Sequence, residues 1–202
     1  MVTSQFIPIT GSAIPLESML PSGSTDLEGV EIQTLTAGGA TDQAYTWNTW
    51  MYENPCWVDG DLNPVEGVTF AQGDGLWVFG TSSEQSIQTS GQVGLEDAKV
   101  QLRSGGTATG NPFPVSVALT DILPVPFDAG VGADLEGIEI QTLTAGGATE
   151  NAYTWNTWMY ENPCWVDGDL NPVENVEFEA GKGLWIFGTG SDQAILFPAP
   201  EL

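Results

Sequence analysis

Val30-Glu31-Ile32-Gln33-Thr34-Leu35-Thr36 and, beyond Gly38-Gly39, Ala44-Tyr45-Thr46-Trp47-Asn48-Thr49-Trp50-Met51-Tyr52 decide how this chain folds. The first run alternates apolar and polar side chains and ends at paired glycines, as a half-buried strand does. In the second, Tyr45, Trp47, Thr49 and Met51 face one way and Thr46, Asn48, Trp50 and Tyr52 the other, because side chains alternate along a strand. Asn54-Pro55 turns the chain into Cys56-Trp57-Val58, and Asp59-Gly60 turns it again. Further strands are predicted at 68–70, at 76–79 after Asp74-Gly75, at 86–89 and at 100–103. Only 16–20 and 119–123 have the pattern of a helical turn.

This stretch occurs twice. Residues 27–80 recur as 135–188 at an offset of 108, with nine of the 54 positions changed. Trp47 falls on Trp155, Cys56 on Cys164, Asp59 on Asp167 and Trp77 on Trp185. The changes gather at 67, 69, 71, 72 and 74, as expected of an exposed loop and an edge strand. A unit of this length exceeds the ~20–50 residues of solenoid and propeller repeats, so each copy is predicted to be a domain with its own core. The boundaries are 1–96 and 97–202. With 25 glycines and 13 prolines punctuating it, the chain is predicted to be all-β: two tandem homologous β-sandwich or small-barrel domains of short antiparallel strands.

Composition narrows the chemistry. Of 202 residues, 41% are hydrophobic, enough for a packed core. Against 27 acids stand only Lys99, Arg103 and Lys182, a net charge of −24. That argues against nucleic acid, which is held by Lys and Arg through counterion release, and against anionic membrane surfaces. Histidine is absent, which excludes Ser-His-Asp and Cys-His catalysis, His-ligated zinc and a histidine pH switch. No run approaches the ~18 apolar residues of a transmembrane helix, and no basic-then-apolar signal pattern opens the sequence.

Two motifs carry candidate chemistry. Asp59, Asp61, Asn63 and Glu66, repeated as Asp167, Asp169, Asn171 and Glu174, place oxygen groups at alternate positions, as calcium loops begin. The pattern departs from an EF-hand at its twelfth position, which is Phe70. The other reading is an Asp-Gly turn followed by an Asn-Pro turn, with Asx side chains bonding local backbone. No cofactor is required, and Ca2+ is the one ion these loops suggest. The second motif is aromatic: Trp47, Trp50, Tyr52 and Trp57, with Trp155, Trp158, Tyr160 and Trp165 in the second copy. Aromatics on both faces of one strand can fill a core with one face and offer a sugar-stacking platform with the other, or be covered on both.

Each copy holds one cysteine at the same place, so no disulfide forms within a copy, and a buried free thiol is expected at Cys56 and Cys164. Two thiolates fall short of a zinc site. A carboxylate glycosidase needs only a pair of acids, which Glu53, Asp59, Asp61 and Glu66 offer, as any acidic loop does.

Thr109-Gly110-Asn111-Pro112-Phe113-Pro114, then 117–122, then Phe178 to Phe187 through Gly183-Leu184-Trp185-Ile186, resemble the β-rich modules repeated in bacterial surface and secreted proteins. The resemblance implies an extracellular, non-catalytic module, one unit of a larger assembly. The first copy departs from it where Thr10-Gly11-Ser12-Ala13 replaces the Asn-Pro-Phe-Pro run. The expected function is therefore a structural or adhesion protein of the cell surface, whose partner is itself in a homo-oligomer or filament, or alternatively a glycan. The uncharged segment 2–9 is expected either to complete a neighbouring subunit's sheet or to be an edge strand of its own domain, in the role that 99–103 plays in the second copy.

Overall fold

A computed structural model describes residues 3–8, 13–23, 27–37, 45–71, 73–81, 85–88, 96–102, 106–128, 132, 134–145, 153–190 and 192–200. In chain order the strands are β1 Thr3–Pro8, β2 Ile14–Pro15, β3 Leu20–Gly23, β4 Glu31–Ala37, β5 Tyr45–Glu53, β6 Cys56–Val58, β7 Thr69–Phe70, β8 Gly75–Gly80, β9 Gln85–Gln88 and β10 Ala98–Gln101. They continue as β11 Thr107–Gly110, β12 Val117–Ala118, β13 Leu123–Pro126, β14 Glu139–Ala145, β15 Tyr153–Glu161, β16 Cys164–Val166, β17 Glu177–Phe178, β18 Gly183–Phe187 and β19 Gln193–Phe197. Single 3-10 turns at Leu16–Ser18 and Leu119–Asp121 are the helical elements among the described residues. The chain is thus all-β, in several antiparallel sheets.

Both repeats build a five-stranded sheet of the same order, β1-β8-β4-β5-β6 and β11-β18-β14-β15-β16. The central pair is in register over its whole length, Glu31 opposite Met51 and Glu139 opposite Met159. Smaller sheets accompany them: β2-β7 and β3-β9 in the first repeat, β12-β17 and β10-β19-β13 in the second.

The alternation along β5 and β15 separates the aromatics. Trp50 packs edge-on to Phe70 and Tyr52 edge-on to Trp57, with ring centroids 5.5 and 5.4 Å apart. They join Ile14, Leu16, Met19, Val30, Ile32 and Leu76 in one apolar cluster. The second repeat gathers the equivalent set, with Phe113, Leu119, Ile122, Ile195 and Phe197, into another. Trp57 and Trp165 are each 2% exposed, and their indole N–H groups donate to the Met19 and Ile122 carbonyls at 2.8 and 2.9 Å. A buried indole needs such an acceptor, and the 3-10 turn supplies it.

Asn111 explains the Asn-Pro-Phe-Pro run. Fully buried, it donates through Nδ2 to the carbonyls of Val115, Phe178 and Glu179, and its Oδ1 accepts the Phe113 N–H. One amide thereby ties the loop before β12 to β17.

The sequence differences follow the backbone. Position 67/175 has φ of 76° in Gly67 and 65° in Asn175, the left-handed region where Gly and Asn are the residues with least strain. Thr69/Glu177 and Ala71/Glu179 are exposed, on or beside the two-residue strands β7 and β17.

The segment at the N-terminus lies in its own sheet: β1 pairs along β8, Phe6 opposite Trp77. Its counterpart is β11, where Ala108 lies opposite Trp185, and not the 99–103 region. That region contributes β10, which pairs with β19. Both segments are short and extended, so only their long-range partners distinguish the two roles.

Candidate functional site

The Asp loops are built the same way in both repeats. Asp59 Oδ1 accepts the Asp61 and Asn63 N–H groups at 2.9 Å each, and the Asn63 amide reaches both carboxylate oxygens at 3.3 Å. Asp167 does the same with Asp169 and Asn171. Leu62 and Leu170, at φ 63°, close these turns and stand about three-fifths exposed. Leu62 N–H bonds back to the Asp59 carbonyl and Asp59 N–H to the Asn63 carbonyl. The first carboxylate of each motif is directed at its own backbone, the Asx-turn reading of the sequence. Asp61, Asn63 and Glu66, like Asp169, Asn171 and Glu174, lie exposed, and among the described residues no three acidic, cysteine or histidine groups converge as metal ligands would.

The backbone hydrogen bond from Asn63, with its side-chain amide and the Asp61 N–H, holds the Asp59 carboxyl below its ordinary value; Asn171 and Asp169 do so for Asp167. A carboxyl lowered in the folded state contributes stability that is complete above its unfolded value and is lost as pH falls through the folded one. The melting-temperature gap between the parent and Asp59→Asn with Asp167→Asn should accordingly be widest near neutrality and narrow below about pH 4. A gap of constant size down to strongly acidic pH would show that these bonds do not respond to ionisation.

Of the aromatic set, Tyr52, Trp57, Tyr160 and Trp165 are core residues, so they are not presented to a ligand at the surface. Trp50 and Trp158 are half-buried against those cores. The Trp47 side chain lies outside the described residues. Trp155 is the exception, 46% exposed on the opposite face of its sheet. Register places Thr157, Gln141 and Trp185 on that face too, and Trp185 stacks with Phe187 at 6.1 Å. Gly106, at φ 122°, approaches so closely that a Cβ would lie 2.4 Å from Trp185 Nε1, which requires glycine there.

A cleft of about 460 Å3 opens where the repeats meet. Asn48, Trp50 and Asp74 of the first repeat line it together with Lys99, Gln101 and Thr107. Thr109 Oγ1 closes the junction by donating to the Gly73 carbonyl at 2.6 Å, and β11 runs against β8. The motif reading missed this cleft, because its walls come from segments that share no pattern and meet only in three dimensions. Cys56 and Cys164 are half-buried and unbridged.

No family model, curated protein or solved structure matches this chain.

Proposed function

We propose that the chain is a non-enzymatic, extracellular structural or adhesion protein made of two duplicated β-sandwich modules, and that it assembles through its sheets into oligomers or filaments. The observation that carries this reading is the direct junction between the repeats, where β11 of the second runs against β8 of the first. Modules that touch directly hold a fixed spacing, which suits a protein that transmits force or sets a repeat distance. The Thr109–Gly73 hydrogen bond supports the same coupling. A net charge of −24 keeps separate molecules apart at low ionic strength and is screened as salt rises.

Particle size by light scattering, with negative-stain images of the same samples, tests this across protein concentration and salt. Regular oligomers or filaments that grow with both are expected. A monodisperse monomer throughout would overturn the assembly reading.

The second reading is glycan binding, favoured by the exposed Trp155, which shares a sheet face with Thr157 and Gln141. It is distinguished by saturable quenching of tryptophan emission by an oligosaccharide, lost in Trp155→Ala.

A further inference from the structure

The two repeats differ in one structural respect that their sequences do not announce. In the second, β19 is central in a three-stranded sheet, with β13 on one side and β10 on the other. In the first, the equivalent strand β9 pairs with β3 alone among the described residues. The consequence is visible in burial. Beside β10, Ala194 and Ile195 have no exposed surface, whereas their counterparts Ser86 and Ile87 are exposed and half-buried.

The direction of the main-chain groups follows from proline. Pro21 lies opposite Ile87 and Pro124 opposite Ile195. Proline has no N–H, so these are non-hydrogen-bonded pairs, and the N–H and C=O of Ile87 point away from β3, as those of Ile195 point away from β13. On β19 that side is filled by β10, where Leu102 N–H donates to the Gln193 carbonyl at 2.8 Å. On β9 none of the described strands fills that side, which carries the outward groups of Gln85 and Ile87, an edge of the kind that pairs with another chain.

We propose that the outer edge of β9 accepts an added strand from a neighbouring polypeptide, and that this strand is basic and alternating, like β10. Two features specify that chemistry. The incoming strand must be apolar at alternate positions, as Ala98, Val100 and Leu102 are, to close over the core beside Ile87. It is favoured if cationic, because residues 1–96 hold 12 acids and no Lys or Arg, while β10 and its flank carry Lys99 and Arg103. This deepens the assembly reading and rests on it for the source of the strand, not for the existence of the edge.

The probe is a synthetic peptide of residues 98–104, Ala-Lys-Val-Gln-Leu-Arg-Ser, which carries two cations and no acid, added to the full chain. Saturable one-to-one binding is expected, with hydrogen exchange of the Ile87 amide slowed by about tenfold or more; salt weakens it because the peptide is cationic, whereas salt strengthens contacts between whole chains by screening their net charge of −24. Peptides with Val100→Pro, or with Lys99→Glu and Arg103→Glu, should bind about tenfold more weakly or worse. Absence of saturable binding would overturn the proposal. So would an Ile87 amide already protected in the chain alone, which would mean the edge is covered by the chain's own residues.

Ile87→Pro removes the outward N–H while leaving the β3–β9 bonds, and should abolish peptide binding. If that variant fails to fold, the peptide variants still decide. Oligomers that form equally in Ile87→Pro would overturn the role of β9 and leave the assembly reading standing. Peptide binding without any oligomer would support the edge and remove the assembly reading.

Discussion

Trp165→Ala should destabilise the second repeat by about 3–5 kcal/mol, the cost of emptying a large buried aromatic site that cannot fully collapse. The indole is 2% exposed, packs edge-on to Tyr160 at 5.3 Å and donates to the Ile122 carbonyl. The substitution therefore removes packing and leaves a buried acceptor without its donor. Trp57→Ala should do the same to the first repeat. Because each indole belongs to a separate apolar cluster, calorimetry should resolve two transitions, the lower one moving with whichever repeat is mutated. One transition that shifts as a whole in both variants would mean that the repeats unfold as a single unit.

Gly75→Ala should lower stability by about 1–3 kcal/mol through overpacking at the junction between repeats. A Cβ there would lie 2.6 Å from the Ala108 carbonyl carbon and 2.7 Å from the Thr109 nitrogen. These are backbone atoms, so relief requires β11 to move away from β8, which also strains the hydrogen bond from Thr109 to Gly73. Gly60→Ala is the control, since a Cβ there meets nothing within 4 Å. Thermal melts of the two variants give the comparison, and small-angle scattering reports whether the repeats separate. Equal melting temperatures and equal dimensions would show that the close approach at Gly75 does not hold the repeats together.

The Asp motifs show how a short pattern carries two readings. Alternate oxygen groups suit either a cation or the local backbone, and the spacing from Asp59 to Asn63 is the same for both. Only the turn's closure, with Leu62 in the left-handed region, brings the Asn63 N–H to the Asp59 carboxylate. The β9 edge was still less legible. Ser86 against Ala194, beside an isoleucine common to both, reads as ordinary divergence until the partners of both strands are known.

What the residues determined by themselves was local and periodic. Strand character from β-branched alternation and turns from Asn-Pro and Asp-Gly follow from neighbours within a few positions, while the duplication and the acidic charge follow from the residues read along the whole chain. Tertiary structure alone decided which face of β5 became core, which short segment entered which sheet, and where the repeats touch. The physical reason is that strand pairing is non-local. β10 finds β19 across some ninety residues, and β1 finds β8 across some seventy, on hydrogen bonds that every extended backbone offers alike.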